Sequence, residues 1–393
     1  MQTFYIIGIS DNRNQFLSPE IRNLVSQGKV FSGGKRHHEL VHAYLPEDAV
    51  WIDITVPLDA VFCRYEEHPE IIVFASGDPL FFGFANTVMR KLPSAKIILF
   101  PTFNSLQMLA HRILLPYQEM QTLSLTGRPW DAFDSALIRG DKLIGVLTDR
   151  EKTPATIAAR MLEYGYDNYR MIVGEALGNG EEESVRTFSL EEASQSAFRF
   201  PNCLILQRNK VHPRPFGIPE SEFHLLNGRN RMITKMPVRL LTLSMLTLRE
   251  KKSFWDIGFC TGSVSIEAKL QFPELKVTAF EQRTEGKELM ERNSRKFGTP
   301  GITTVMGDFL ETELGGLPAP DAVFIGGHGG KMIEILQKIK EVLLPDGVIV
   351  FNSVSEESKA LFTKGITQIN KKVTQCTRIA VDAFNPIEIM RAE

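Results

Sequence analysis

Three carboxylates in the second half of this 393-residue chain each close or follow an apolar run: Asp256, Glu281 and Asp308. Asp256 ends the run "SFWD". Gly258, Phe259, Cys260, Thr261 and Gly262 then form a short turn that leads into a helix-like pattern. A turn without side chains at its ends lets a ligand touch backbone N–H groups. Glu281 ends the next apolar run, near the roughly 20-residue distance expected of an acid that holds ribose hydroxyls. Asp308, followed by Phe309, lies one strand further on, where a carboxylate reaches an adenine amino group.

The turn Gly-Phe-Cys-Thr-Gly is not a dinucleotide fingerprint. It lacks the third glycine that packs a helix close to a pyrophosphate. An adenosyl ligand without a pyrophosphate fits better, and S-adenosyl-L-methionine is the common one. Upstream, "NGRNRMITKMPVR" gathers Arg229, Arg231, Lys235 and Arg239 without an acid, among Met232, Ile233, Met236 and Val238. A solvated face is the ordinary reading of a charge run. The apolar neighbours argue instead for a docked segment, whose cations suit a substrate with several carboxylates. In "DAVFIGGHGG" four glycines surround His328, so that backbone can approach something large and flat. His328 is either an acid–base group or a plain loop residue. Lys235, Arg239 and His328 are the candidate substrate-positioning residues, and Thr234 stands beside them.

In the first half, "ASGDPLFFG" places Ser76, Gly77 and Asp78 in a tight turn between a strand and a helix. An Asp in such a turn braces it by accepting local N–H groups.

These residues need a scaffold. "TFYIIGI", "EIIVFAS", "AKIILF", "KLIGVLT", "NYRMIVGEAL" and "PNCLILQRN" read as strands of the first half. Helical patterns lie between most of them, including "SPEIRNLVSQG" with Ser18 as N-cap, Pro19 at the first helical position and Gly28 at the stop. In the second half a helix pattern at 236–248 precedes the strands "SFWDIG", "KVTAFE", "ITTVMG", "DAVFIGG" and "GVIVFN". Alternating strands and helices predict mainly parallel sheets. Between the halves, residues 209–222 carry three prolines and a glycine without apolar periodicity, which predicts an exposed linker.

Composition sets outer bounds. The formal net charge of −2 and the 23% of charged residues argue against wholesale nucleic-acid binding. Four scattered cysteines form no CxxC pair, so no metal site is expected and a reducing cytosol fits. No run approaches the ~18 apolar residues of a membrane span, and the N-terminus has no signal-peptide pattern.

Two resemblances are carried by these motifs. "GIPESEF", "TKMPVR", "DIGFCTGSVSIEA", "GD" and "DAVFIGGHGG" are similar, in order and spacing, to the decarboxylating precorrin-6B C15-methyltransferase family of cobalamin synthesis. Cys260 departs from the glycine usual in that turn, and Pro237 from an acid. "GGKRHHEL", "SGDPLFFG", "NSLQMLAHRILLP", "SLTGRP", "LTDREKTPATIAARML" and "GEALGNGEEE" resemble the tetrapyrrole methylase family, in its cobalt-precorrin-7 C5-methyltransferase branch. Here the first loop keeps only Gly8, and Thr126 replaces a histidine. The whole chain thus resembles the bifunctional precorrin-6Y C5,15-methyltransferases. That resemblance implies an α/β fold: a two-lobed αβα tetrapyrrole methylase domain over 1–208, a linker over 209–222, and a Rossmann-like methyltransferase and decarboxylase domain over 223–393. It also implies a tetrapyrrole substrate, S-adenosyl-L-methionine at both sites and a homo-oligomer. Ser105 and Thr148 join Ser76, Gly77 and Asp78 as candidate cofactor residues of the first half. Two other readings remain at this point: a methyltransferase of RNA or protein, and a scaffold with degenerate cofactor loops.

Overall fold

The computed structural model describes residues 2–228, 232–381 and 386–393. Arg229 and Arg231, two of the cations singled out above, lie outside the described residues. The chain divides into two compact units. The first comprises Met1–Arg128, Lys142–Ala159 and Tyr169–Asn209; the second comprises Pro129–Asp141, Arg160–Asn168 and Lys210–Glu393. No helix of the described residues is long and apolar enough to cross a membrane.

The first unit holds two five-stranded sheets. One is built from β1 (Thr3–Ile9), β2 (Val30–Gly33), β3 (Val50–Asp53), β4 (Glu70–Ser76) and β5 (Lys96–Phe100), in the order β3-β2-β4-β1-β5. Every pairing in it is parallel. β4 lies inside the sheet with Ile71–Ala75 all buried, as expected where helices cover both faces. The helix Pro19–Gln27 starts as the sequence predicts: Ser18 accepts a hydrogen bond from the Ile21 amide, and Pro19 occupies the first turn. The other sheet contains β6 (Gln121–Ser124), β7 (Leu143–Leu147), β8 (Tyr169–Glu175), β9 (Ser184–Phe188) and β10 (Asn202–Arg208), in the order β6-β7-β10-β8-β9. The expectation of parallel pairing fails here. β10 runs antiparallel to both β7 and β8, and β8 to β9, leaving only β6–β7 parallel.

The second unit is one seven-stranded sheet of β11 (Ser253–Ile257), β12 (Lys276–Glu281), β13 (Ile302–Met306), β14 (Ala322–Ile325), β15 (Val348–Ser353), β16 (Val373–Ile379) and β17 (Ile387–Ala392). Its order is β13-β12-β11-β14-β15-β17-β16. The first five strands are parallel, and β17 runs antiparallel between β15 and β16. Strand alternation sorts the core onto two faces. Trp255, Val323 and Ile349 pack under Met332–Lys340 and Glu356–Gln368. Phe254, Phe324 and Val350 pack with residues of Met236–Met245 and Ser263–Gln271 on the other side. The strand order reverses between β11 and β14, which opens a crevice at their carboxyl ends.

The segment expected as a bare linker is, from Pro215 onward, bound into the second unit. Ile218 is buried, Gln271 Nε2 donates to the Pro215 carbonyl at 3.0 Å, and the Gly217 amide donates to Glu267.

Candidate functional site

The crevice of the second unit is a cavity of ≈ 760 Å³. It is lined by Thr234, Lys235, Gly258, Phe259, Cys260, Thr261, Glu281, Asp308, Phe309 and His328. Ten sequence-predicted residues from five separate segments therefore share one wall. Gly262 and Arg239 are not part of it.

β11 delivers Asp256 to the cavity and the glycine turn closes its floor. Gly258 (φ 79°) and Gly262 (φ 75°) are left-handed. A Cβ on Gly258 would stand 2.9 Å from the Gly327 amide, and one on Gly262 2.5 Å from Met290 Sδ. So Gly258 first permits the two glycine loops to touch each other. Gly327, Gly329 and Gly330 face open space, where backbone is available to a ligand. Cys260 also adopts a left-handed φ of 51°. A side chain there costs about 1 kcal/mol or more, strain that glycine would avoid.

Glu281 is almost fully buried and accepts from the amides of Cys260 and Arg283, both at 2.9 Å. Its carboxylate therefore braces the glycine turn from below. Asp308 accepts from the Leu310 amide at 2.9 Å and pairs with Lys331 at 2.8 Å, and that pairing holds its carboxyl below the usual range. Phe309 is buried edge-on to Phe280 at 5.0 Å. The Gly330 amide donates to His328 Nδ1 at 3.2 Å. Nδ1 is thus an acceptor, and the neutral ring carries its proton on Nε2. Burial lowers the pKa of His328. In this conformation His328 is an N–H donor and not a base.

Arg239 needs correction. It is fully buried, and its three nitrogens donate to Glu267 at 2.5 Å, to the Thr234 carbonyl at 2.7 Å and to the Ile218 carbonyl. A substrate carboxylate would have to displace Glu267. The guanidinium instead ties the strap that carries Thr234 and Lys235 to the helix Ser263–Gln271. Lys235 stays in the cavity wall, at the N-terminus of Met236–Met245.

Sequence reasoning left Asp256 off the site list. Its carboxyl is fully buried in the wall; Oδ2 accepts from Ser265 Oγ at 2.6 Å, while Oδ1 has no partner among the described residues. Burial foremost, with the nearby Glu281 charge, raises it to about 7. Thr261 Oγ1 is likewise buried and unpaired. Asn168 Oδ1 and Ser294 Oγ are also unpaired among the described residues, but Asp256 and Thr261 are the two such residues that line the cavity, where a ligand can offset the cost of an orphaned polar atom. The amides expected to meet a ligand are taken within the protein: those of Gly258 and Phe259 donate to the Phe280 carbonyl and that of Cys260 to Glu281. The acid under the turn and the unpaired carboxylate oxygen in the wall are what fit an adenosyl sulfonium. Asn352, at the end of β15, was also missed. It lines the cavity and accepts from Thr242 Oγ1 at 3.1 Å. Its place at the carboxyl end of a central strand was the available signal.

In the first unit the ends of β1, β4 and β5 converge. A Cβ on Gly8 would meet the Gly77 carbonyl oxygen at 1.9 Å, and one on Gly77 (φ 62°) the Asn104 Cα at 2.8 Å. Asp78 Oδ1 accepts from the Leu80 amide at 2.9 Å, the bracing its type predicts. Ser76 Oγ meets His37 Nε2 at 2.8 Å. Thr148 Oγ1 donates to Asn202 on β10, and Ser105 is the first residue of the helix Ser105–Arg112. Among the described residues no hydrogen bond joins these two sets.

Residues 227–392 match the precorrin methyltransferase domain family. The precorrin-6Y C(5,15)-methyltransferase [decarboxylating] of Sinorhizobium sp is 32% identical over 371 residues, 91% of this chain and 86% of its own. The cobalt-precorrin-6B C(15)-methyltransferase (decarboxylating) of Salmonella typhimurium is 33% identical over 162 residues, 41% of this chain and 83% of its own. A solved precorrin-6y C5,15-methyltransferase from Geobacter metallireducens is 32% identical, covers 47% of this chain and 99% of that one, and has a TM-score of 0.42. The likeness to the Sinorhizobium protein covers 91% of this chain at 32% identity, and the chain belongs to the decarboxylating precorrin-6Y C5,15-methyltransferase family.

Proposed function

We propose that this chain methylates a precorrin at C5 and C15 and removes the carboxyl of the ring C acetate as CO2, leaving a methyl group, a step of corrin synthesis that uses S-adenosyl-L-methionine. The first unit is assigned C5 methylation. The second is assigned C15 methylation and decarboxylation. The observation that carries this reading is the cavity at the β11–β14 switch, with its glycine turn, Glu281 brace and unpaired Asp256 oxygen.

The bound cofactor supplies an electrophilic methyl on a sulfonium. The meso carbons C5 and C15 of a reduced tetrapyrrole are electron-rich, so the protein's contribution is placement. Enforced near-attack geometry supplies on the order of 7–11 kcal/mol. The turn from Gly258 to Thr261 shapes the wall beside the ligand, and Glu281 holds it in that shape. Asp256, once ionised, offers a buried negative charge to a cation. Lys235 at the rim faces substrate carboxylates, and His328 Nε2–H is a donor to the macrocycle. Loss of the carboxyl breaks the acetate's C–CO2 bond. The electron pair drains into the conjugated ring, and a proton from solvent replaces the carboxylate.

Mass spectrometry of the product formed from precorrin-6B tests the assignment, scoring methyl gains and CO2 loss separately. Two methyls and one CO2 lost are expected. A product with two methyls and the acetate intact would remove the decarboxylase role.

A further inference from the structure

The second feature of the first unit is a histidine that the methylation chemistry above does not use. His37 lies on the helix Lys35–Val41, in the motif "GGKRHHEL". The Gly34 amide donates to its Nδ1 at 3.2 Å. A backbone N–H can only donate, so Nδ1 is unprotonated and the neutral ring keeps its proton on Nε2. Burial and the adjacent Arg36 hold the ring's pKa at about 4, which leaves it neutral at ordinary pH. Nε2–H therefore donates to Ser76 Oγ at 2.8 Å. The hydroxyl has accepted its bond and keeps its own proton to donate, from an exposed position directly before the Gly77–Asp78 turn.

What faces that proton is indicated by the neighbouring side chains. Leu80 and Phe82, on the same loop, are 45% and 41% exposed. The guanidinium of Arg128 lies 5.4 Å from the Phe82 ring centroid. Arg36 stands next to His37 and pairs with Asp11 on the first loop. Apolar surface bordered by guanidinium groups and one oriented hydroxyl donor suits a flat apolar ring with a carboxylate rim.

We propose that Ser76 donates a hydrogen bond to a carboxylate of the tetrapyrrole during C5 methylation, and that His37 is the positioning residue that fixes it as a donor. The proposal rests on the C5 assignment of the first unit. Ser76 thereby moves from the cofactor set to the substrate set.

The test uses the full chain with Ser76→Ala, His37→Ala, the double variant and His37→Gln, which keeps an N–H at similar reach. Methyl gain at C5 is measured against tetrapyrrole concentration at saturating S-adenosylmethionine. Loss of C15 in place of C5 methylation in these first-unit variants would break the underlying assignment, and intact C15 methylation by the same chains checks folding. Ser76→Ala and His37→Ala are each expected to raise the tetrapyrrole KM on the order of ten-fold. The double variant should be no worse than either, and His37→Gln should recover most of the loss. C15 methylation should be unchanged. Additive losses would overturn the proposal, as would an unchanged KM in Ser76→Ala. A rise in the S-adenosylmethionine constant with the tetrapyrrole KM unmoved would return Ser76 to the cofactor.

Discussion

Arg239 and Glu267 meet at 2.5 Å with neither side chain exposed to solvent. The other nitrogens of Arg239 hold the carbonyls of Ile218 and Thr234, while Glu267 also accepts from the Gly217 amide. One buried pair therefore anchors both ends of the strap that reaches the cavity wall at Thr234. Removing one partner leaves a buried charge uncompensated, at about 3–5 kcal/mol. Arg239→Met should show that loss in urea unfolding, and weaker S-adenosylmethionine binding at the second site. Arg239→Lys should recover only part of it, because one ammonium cannot span three acceptors. Wild-type stability with only tetrapyrrole affinity reduced would place the guanidinium on the substrate after all.

Glu281→Ala should act on one activity of the two. The variant leaves the amides of Cys260 and Arg283 without their acceptor and removes an acid from the cavity. Hydrogen bonds to a charged group contribute about 1.5–3 kcal/mol, so the cofactor constant of the second site should weaken by at least ten-fold. C15 methylation and CO2 loss should fall together while C5 methylation persists. Equal loss of both methylations would mean that the two activities share this cavity.

Severing the chain near Asn209 should not yield two equally stable halves. Residues 129–141 and 160–168 belong to the second unit, although they precede the cut. Ser135 Oγ donates to the Pro273 carbonyl, and Tyr166 OH to that of Gly298, both at 2.7 Å and both buried. Asp134 pairs with Arg160 at 2.7 Å, and Ile138 packs in the cluster of Ile218 and Phe223. A fragment 210–393 loses these contacts and should melt on the order of 5–10 °C below the whole chain's second unit, at about 0.5–1.5 kcal/mol per hydrogen bond. Calorimetry of the fragment beside the intact chain measures this. Equal melting temperatures would make the contacts dispensable.

The parallel strands and the glycine turns were legible because each is a local pattern. β4 is an unbroken apolar run, and Gly258 and Gly262 sit at a strand-to-helix junction. β3, four residues long with two exposed, and β16, with four of its seven residues exposed, carry no such pattern and escaped notice. The role of Arg239 was misread because its partner Glu267 lies 28 residues on, inside an ordinary helical sequence. The same limit hid His37 behind Ser76, 39 residues away. Asp256 was visible as a strand-end acid. Its unpaired oxygen was not, since that depends on what the other segments fail to offer.

Asp256 makes the second unit sensitive to pH. Its carboxyl rises from the ordinary 3.8 to about 7, through burial first and the Glu281 charge in addition, against the Ser265 hydrogen bonds. A raised carboxyl means that the folded protein keeps a proton the unfolded chain has released. The stabilisation is complete below about pH 4 and is lost as pH rises through about 7. At about 1.4 kcal/mol per pKa unit, the whole window carries at most about 4 kcal/mol. Without ligand, the second unit should therefore lose stability between about pH 4 and pH 7, and Asp256→Asn should flatten that slope. A sulfonium beside the carboxyl favours its ionised form, so cofactor binding near pH 6.5 should release a proton. Titration calorimetry in two buffers of different ionisation enthalpy should then give different apparent heats for the parent and equal heats for Asp256→Asn, with the first-site signal subtracted using Glu281→Ala. Buffer-independent heats in the parent would show that Asp256 is already ionised, with a partner for Oδ1 supplied by solvent.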